Sequence, residues 1–170
     1  RTNAAHVYAI GECAVWDNKI FGLVAPGYSM ASICAAQITG DHSQTFTGAD
    51  MSTKLKLMGV DVGSIGDAHG NSADSLSYLY QNPAEGIYKK LVTTPDNKRL
   101  LGAVLVGDTE DYNNLLQLYL NDIDLPAHPE SLILPNVEKP KMGIENLPDS
   151  ATICSCYNVT KGAICAAVEN

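Results

Sequence analysis

Positive charge and long hydrophobic runs are both scarce in this sequence. Lysine and arginine number 11 against 19 aspartates and glutamates, and the formal net charge of −8 argues against nucleic acid or an anionic membrane as a partner. The longest apolar run, Leu100–Val106, is far too short to cross a bilayer. No basic segment followed by an apolar one opens the chain, so the sequence contains no recognisable secretion signal.

The cysteines do not follow the pattern of an extracellular protein. Their number is odd and their spacing uneven, at Cys13, Cys34, Cys154, Cys156 and Cys165. We therefore expect a reducing compartment, the cytoplasm, instead of a disulfide framework. A composition that is 45% hydrophobic and 18% charged is sufficient for a buried core. Because the chain lacks an initiator methionine and enters an apolar segment at once, we expect it to be an internal piece of a longer protein.

A predicted strand, Val7–Ile10, runs into Gly11 and Glu12. Open α/β sheets bind ligands at this end of their strands, and glycine lets a cofactor come near the backbone. A carboxylate at such a place can accept hydrogen bonds from sugar hydroxyls. On these residues alone, a strand that ends in a polar turn is the simpler interpretation, and a cofactor contact is the alternative.

Pro26 is predicted to open the helix that follows, since proline is tolerated at the first helical position. Met30, Ile33, Cys34 and Ile38 fall on one face of this helix. The N–H groups at its start could face an anion or an electron-rich ring edge. An ordinary capped helix explains the same residues.

Residues 46–124 have the pattern of a small α+β domain. Alternation around Leu55 and Leu57 predicts a half-buried strand. Three further strands are expected at Val60–Ile65, Ala84–Val92 and Leu100–Val106. A helix is expected at Thr109–Asn121. The turn Thr94–Asn97 predicts an antiparallel hairpin between the last two strands. Asp108 is predicted to cap the helix, whose apolar stripe should pack on the sheet.

A proline-rich segment follows this domain. Leu125–Pro148 contains five of the eight prolines, and we expect it to be an extended connector because proline interrupts regular elements. Beyond it, Thr160 is positioned to cap a short final helix, Lys161–Glu169.

Cys154 and Cys156 are the sharpest local feature of the sequence. Two thiolates one residue apart can face a single soft metal centre, and iron–sulfur clusters take four cysteine ligands. Zinc sites more often have two residues between their cysteines. An incidental pair of small, partly buried thiols is the alternative interpretation.

A glycine-rich segment, Gly63–Gly70, is similar to a loop that cradles phosphate. It matches neither the spacing of dinucleotide-binding motifs nor that of Walker loops, so a glycine-rich turn after a strand is the favoured interpretation. The four histidines form no ligand pair, and the sequence has no nucleophile elbow. We therefore predict no catalytic residue.

Taken together, the segments resemble the large subunits of assimilatory NAD(P)H nitrite reductases, in the FAD-dependent pyridine-nucleotide reductase superfamily. Val7–Glu12 and Leu23–Gly27 look like the closing segment of the FAD domain. Phe46–Gly63 and Leu101–Asp108 are similar to the family's small C-terminal domain. Ile153–Gly162 resembles the opening of a [2Fe-2S] domain akin to bacterioferritin-associated ferredoxin.

The resemblance implies an α+β fold, a small antiparallel sheet with a packed helix, preceded by the last strand and helix of an α/β FAD domain. It implies four parts: residues 1–44 as the end of the FAD domain, 45–125 as the α+β interface-like domain, 126–150 as a linker, and 151–170 as a truncated [2Fe-2S] domain. Gly11, Glu12 and Pro26 would contact FAD. Cys154 and Cys156 would supply an incomplete set of cluster ligands.

The resemblance also implies a reaction. The family reduces nitrite to ammonia, with electrons passing from NAD(P)H to FAD, to iron–sulfur centres and to sirohaem; the complete protein would carry FAD, a [2Fe-2S] cluster, a [4Fe-4S] cluster and sirohaem. We expect the isolated chain to be inactive and to bind neither FAD nor iron. The expected partners are a small nitrite reductase subunit or another redox protein, with a homodimer as a further option. The alternatives are a fragment of an NADH–rubredoxin-type flavin reductase and a non-catalytic domain for dimerisation or docking.

Overall fold

The computed structural model describes residues 1–137, 146–154 and 157–169. The chain divides into two compact units. The first unit is residues 1–51 with Tyr157, and the second consists of the described residues of 52–154 and 158–169. Every helix in the described part of the chain is too short or too polar to cross a membrane.

The first unit is built around one helix. It contains a 3₁₀ turn, a short antiparallel hairpin and a helix: Gly11–Cys13, β1 (Val15–Trp16), β2 (Lys19–Ile20) and α1 (Val24–Ile38). Three aromatic rings, those of Trp16, Phe21 and Phe46, pack edge to face with centroids 5.2 to 6.2 Å apart. Such pairs add to the apolar burial of each ring, so this trio anchors the hairpin to the segment after the helix.

The predicted strand Val7–Ile10 is not part of a sheet. Ile10 has extended backbone angles, φ −138° and ψ 158°, but within the described residues no strand pairs with this segment. A strand next to a helix is normally one of several parallel strands, which come from separate βα units. Val7 is half exposed, and its N–H and carbonyl are bonded to Ala4 and Thr2 just before it in the chain.

The second unit is built on a five-stranded antiparallel sheet. Its strands are β3 (Thr53–Leu57), β4 (Val60–Gly66), β5 (Leu76–Asn82), β6 (Ile87–Thr93) and β7 (Leu100–Val106), in the order β3-β4-β7-β6-β5. One helix, α2 (Tyr112–Leu120), packs on one face. The elements beyond it are a 3₁₀ turn (Pro129–Leu132), a hairpin of β8 (Thr152–Cys154) and β9 (Val159–Thr160), and α3 (Lys161–Glu169). The predicted α+β sheet with a packed helix is confirmed.

One strand of the sheet was missed by the sequence analysis. β5 alternates half-buried tyrosines, Tyr78 and Tyr80, with exposed residues such as Leu79. The predicted strand Ala84–Val92 instead starts at Ile87, because Pro83–Gly86 forms the turn between β5 and β6. The predicted hairpin between β6 and β7 is confirmed.

The core lies between the sheet and α2. Two glycines of the sheet determine how closely its neighbours approach, one on each face. The most buried members of the core include Ile65, Leu91, Leu105 and Leu115, each 1% exposed or less. A methyl group on Gly63 would lie 2.6 Å from the ring of Tyr112, which real side chains do not tolerate. On the opposite face, a methyl group on Gly102 would lie 2.3 Å from the Asp67 carbonyl carbon. Glycine at these positions therefore lets a helix and a loop contact the sheet directly.

The proline-rich segment is packed where we expected an extended connector. Leu132 and Ile133 are each 1% exposed and belong to the core cluster. Pro129 opens the 3₁₀ turn that delivers them, where its missing N–H costs nothing. Prolines interrupt regular elements but leave the apolar residues between them able to pack. Pro140 lies outside the described residues.

The start of α2 is fixed by a buried lysine. Lys89 Nζ lies 2.6 Å from Asp108 Oδ2 and 2.9 Å from Asp111 Oδ2, with the lysine side chain only 3% exposed. Burial by itself would lower the pKa of Lys89, but the hydrogen bonds to Asp108 and Asp111 outweigh it and the pKa is raised. Lys89 therefore remains charged and ties strand β6 to the helix start.

The predicted cap of this helix is wrong in position. α2 begins at Tyr112 with Asp111 as its N-terminal flanking residue, and no side-chain bond from Asp111 caps it. Asp108 instead accepts a hydrogen bond at 3.0 Å from the Glu110 N–H, which closes the turn before the helix. The competing attraction of Lys89 explains the difference, because it holds both aspartates on the sheet side.

We predict that Lys89→Ala lowers the free energy of unfolding by about 3–5 kcal/mol, because it leaves Asp108 and Asp111 close together without their cation. Urea denaturation of the chain would measure the change. Lys56→Ala is the matched control, since Lys56 and Asp61 are exposed and 3.9 Å apart. That pair should contribute less than about 1 kcal/mol. Equal losses in the two variants would contradict the prediction.

Candidate functional site

The Gly11–Cys13 turn is held against α1 by a sulfur atom. The Gly11 N–H donates to Met30 Sδ at 3.1 Å, and Met30 is only 6% exposed. Gly11 has φ +74°, which glycine adopts readily and other residues rarely do. The Ala14 N–H donates to the Gly11 carbonyl at 3.0 Å and closes the turn. The position of Glu12 is therefore set by one side chain of the helix.

Glu12 lies on the surface of the first unit. Its carboxylate passes over Gly22, where an added methyl group would lie 3.2 Å from Glu12 Oε1. Neither Gly22 nor the sulfur contact of Met30 was predicted from the sequence. The helical spacing of Met30 predicted its burial but not its partner, and no pattern in the sequence distinguishes Gly22. An exposed carboxylate in this position can accept hydrogen bonds from a bound polar molecule.

Pro26 is part of the helix start and is buried. It is the third residue of α1, whereas it was predicted to be the first, and it is less than 2% exposed. The first intrahelical bond runs from the Gly27 N–H to the Leu23 carbonyl at 3.3 Å. The N–H groups of Val24 and Ala25 precede that bond and point out of the helix end. Pro26 therefore shapes the helix start. The groups that could meet a ligand are the N–H groups of Val24 and Ala25.

A largely apolar pocket of about 610 Å³ lies in the first unit. Its walls include Tyr8, Trp16, Met30, Ile33, Cys34 and Phe46. Met30, Ile33 and Cys34 come from the predicted apolar face of α1, whereas Ile38 is mostly exposed and does not belong to that face. Glu12 and Pro26 are not among the wall residues. The pocket borders the segment Val7–Ile10, and the Glu12 carboxylate is not part of its wall.

Of the predicted cluster ligands, the structure describes one. Cys154 ends β8, is half-buried, and faces Val159 across the hairpin. Cys156 lies outside the described residues. No group of three or more histidine, cysteine, aspartate or glutamate side chains in the described part of the chain could hold a metal ion. The predicted cap of α3 is confirmed, since the Ala163 N–H donates to Thr160 Oγ1 at 3.2 Å.

The segment Gly63–Gly70 is a strand end followed by a closed turn, as the favoured interpretation held. The carboxylate of Asp67 accepts from the N–H groups of Gly70, Asn71 and Ser72 at 2.7 to 3.0 Å, and from Ser72 Oγ. Burial raises the pKa of Asp67, but these hydrogen bonds outweigh it and lower the pKa to about 2. The amides that a phosphate would need are thus already bonded within the loop.

Comparison with known proteins first identifies the second unit. Residues 52–122 match the family described as the rubredoxin NAD+ reductase C-terminal domain. A NAD-dependent persulfide reductase from A. fulgidus has a similar structure, with a TM-score of 0.52 over 76% of this chain and 29% of that one. Its sequence is only 20% identical, so the likeness concerns the fold alone. The second unit is therefore similar to this C-terminal domain, and its fold is of the α+β type.

The similarity to particular proteins extends over nearly the whole chain. The chain is 57% identical, over 99% of its length, to the NADH nitrite reductase large subunit of Escherichia coli, and equally to the NAD(P)H enzyme of Klebsiella oxytoca. It is 36% identical, also over 99%, to the assimilatory nitrate reductase electron transfer subunit of Bacillus subtilis. It spans 20%, 18% and 21% of these relatives. The resemblance to nitrite reductase large subunits is confirmed, while the four domain boundaries and the site residues stay predictions.

We predict that Met30→Leu loosens the Gly11–Cys13 turn, because leucine fills the same space without a sulfur acceptor. The Gly11 amide should exchange its hydrogen roughly three- to tenfold faster, as expected for the loss of one hydrogen bond. Hydrogen exchange followed by NMR would measure it. Met58→Leu is the control, since Met58 is 97% exposed on the β3–β4 turn. An unchanged Gly11 amide in Met30→Leu would contradict the role of the sulfur.

We predict a distinct acid dependence for the Asp67 loop. Since the pKa of Asp67 is lowered to about 2 from an ordinary value of 3.8, its contribution to stability is complete above about pH 4. It is lost as the pH falls towards 2. Asp67→Asn should cost about 1–3 kcal/mol at pH 7 and progressively less in acid. Urea denaturation between pH 2 and 7 would test this, with Asp74→Asn in the same loop as control. A cost that does not vary with pH would contradict the prediction.

Proposed function

We propose that this chain is the part of an NAD(P)H-dependent nitrite reductase large subunit that links the flavin to an iron–sulfur cluster. In the complete protein, electrons pass from NAD(P)H to FAD, to iron–sulfur centres and to sirohaem, where nitrite is reduced to ammonia. One observation carries the proposal: 57% identity to a nitrite reductase large subunit over 99% of this chain. The chain spans only about a fifth of that protein, so the activity belongs to the whole protein.

The first unit fits the end of a FAD-binding domain. Open space lies around Gly11, with no atom within 4 Å of where a side chain would begin. A flat ring or a ribityl chain could therefore approach the backbone there. Glu12 would accept hydrogen bonds from hydroxyl groups of the ribityl chain. Bound FAD would supply the exchange between two-electron and one-electron transfer that hydride donors and iron–sulfur clusters require.

The start of α1 would complete the flavin contact. The N–H groups of Val24 and Ala25 project from the positive end of the helix, which favours an electron-rich ring edge. Pro26 is buried, so we assign it a positioning role, in place of the direct contact that the resemblance implies. The extended, unpaired Val7–Ile10 and the apolar pocket beside it are consistent with a sheet that is shared with other strands of a FAD domain.

The hairpin of the second unit fits the opening of a [2Fe-2S] domain. Cys154 ends β8 and is accessible enough to act as a ligand. With Cys156 it would supply two of four thiolates, and two more must come from elsewhere in the protein. Cys165 is exposed on α3 and is not assigned to the cluster. By itself, this chain should therefore hold neither a complete cluster nor FAD.

The lysines on one of the two edge strands of the sheet, β3, favour a redox partner over self-association through that edge. β3 is an edge strand, and Lys54 and Lys56 alternate along it. Edge lysines oppose pairing with a second copy, because antiparallel pairing would bring like charges together. We propose the small nitrite reductase subunit or another redox protein as the partner. The four described cysteines form no disulfide, which agrees with a cytoplasmic location.

An NADH–rubredoxin-type reductase is the competing assignment. It accounts for residues 52–122, which match the C-terminal domain of rubredoxin NAD+ reductase. It does not account for the segment that contains Cys154 and Cys156. The identity to nitrite reductases extends through that segment, so the nitrite reductase assignment is favoured.

We predict separate losses of the two redox groups in the complete protein. Glu12→Ala should weaken FAD binding, with about a tenfold rise in Kd, and leave the iron content unchanged. Cys154→Ser should remove most of the [2Fe-2S] signal and leave FAD bound, because a cluster lacks one of four ligands. Flavin absorbance, iron analysis and EPR would measure these changes.

The control for both variants is Cys165→Ser, which should retain FAD and iron because Cys165 is exposed on α3 and has no assigned ligand role. A Cys154→Ser protein that keeps its [2Fe-2S] signal would refute the cluster assignment. A Glu12→Ala protein with unchanged flavin affinity would refute the FAD assignment.

A further inference from the structure

The segment that carries Cys154 is packed against the second unit on both sides of the cysteine. Leu147 and Ala151, which precede β8, are 4% and 2% exposed. α3, which follows β9, is bonded to the same segment. Buried apolar side chains of this kind cost free energy to expose, so the hairpin is not an independent tail. The contacts that place it can be identified individually.

Asn121, at the C-terminal end of α2, makes the central contact. Its Oδ1 accepts the Thr152 N–H at 2.9 Å. Its Nδ2 donates to the Gln117 carbonyl at 3.1 Å and to Gln117 Oε1 at 2.9 Å. The two Gln117 bonds determine which way the carboxamide faces, because only the nitrogen can donate. The oxygen is therefore directed at the first residue of β8.

A second set of bonds fixes the other end of the hairpin. Lys161 Nζ donates to the Leu147 carbonyl at 2.7 Å, and its side chain is 17% exposed. The Lys161 and Gly162 N–H groups donate to the carbonyls of Ala151 and Asp149, both at 2.9 Å. The first turn of α3 is thus closed onto the residues that precede β8.

We propose that Asn121 is a positioning residue that holds the Cys154 hairpin, and with it the [2Fe-2S] cluster, at one place on the sheet domain. The inference rests on the proposed function for the cluster itself. Thr152 lies two residues before Cys154, and a strand rises about 3.3 Å per residue, so a bond at Thr152 restricts the cysteine to within about 7 Å of it. A fixed cluster position keeps the electron-transfer distance constant, whereas a loose tether would let it vary.

The first test uses hydrogen exchange in the complete protein. Asn121→Ala should speed exchange of the Thr152 amide about tenfold, because its acceptor is removed. Asn113→Ala, an exposed position on the same helix, is the matched control and should leave that amide unchanged. Asn121→Asp retains an acceptor oxygen but loses both bonds to Gln117, so it should restore only part of the protection. If Asn121→Ala does not fold, Gln117→Leu is the second variant. It removes the bond from Asn121 Nδ2 to Gln117 Oε1, which helps to direct Asn121 Oδ1 at Thr152, and the Thr152 amide should again exchange faster.

The second test asks whether the position matters to the cluster. Asn121→Ala should broaden the EPR signal of the reduced [2Fe-2S] cluster and slow its reduction by the flavin severalfold, with FAD content and the rate of flavin reduction unchanged. Asn121→Asp should restore both cluster properties in part, because it keeps the acceptor oxygen but not the bonds to Gln117. A residue needed only for stability would not change the EPR line shape of the folded protein.

The outcomes separate this inference from the proposed function. Equal Thr152 exchange in Asn121→Ala and Asn113→Ala would overturn the inference, as would faster exchange with an unchanged cluster signal and reduction rate. A complete, unaltered protein that contains no [2Fe-2S] cluster would overturn the proposed function, whatever the exchange rate at Thr152.

Discussion

The second unit depends on the buried contact between Lys89 and the two aspartates at the start of α2. The lysine lies in strand β6, inside the sheet, and reaches the helix start through Asp108 and Asp111. Once the helix start is fixed, Tyr112 meets Gly63 and the apolar face of α2 covers the core. The opposite end of the same helix then presents Asn121 to β8. One ion cluster thereby orients the element that connects the sheet to the Cys154 hairpin.

Both candidate redox residues lie in short elements that are held by contacts from elsewhere in the chain. Glu12 follows a glycine whose N–H is bonded to Met30, 19 residues further along the chain than that glycine. Cys154 ends a strand whose first N–H is bonded to Asn121. The Gly11–Cys13 turn has less internal bonding than the Asp67 loop, which satisfies its amides with its own carboxylate. Open turns supported by neighbours suit residues that must remain available to a cofactor.

Elements with strong local signals were predicted well. Leu100–Val106 and Lys161–Glu169 appear with the predicted bounds, and the Thr160 cap is present. β5 was missed because Leu76 and Leu79 are apolar but lie among its exposed residues, which weakens the alternation of apolar and polar residues along the strand. The cap of α2 was misplaced because Lys89 competes for Asp108 from a different strand. Of the candidate site, Gly11, Glu12 and Cys154 were predicted from motifs and stay predictions, whereas the supporting contacts of Met30, Gly22 and Asn121 were not predicted.

The sequence by itself determined the class of most local elements of the second unit and the residue types of the turn and the thiols, because periodicity, caps and ligand types depend on near neighbours. Tertiary structure alone decided which groups support them. It placed a methionine sulfur on Gly11, brought an asparagine to the strand of Cys154, and packed Leu132 and Ile133 from a proline-rich segment into the core. These contacts join residues far apart in the chain. Burial of apolar surface brings their elements together, so the distance between the two partners is fixed only after the whole unit has folded.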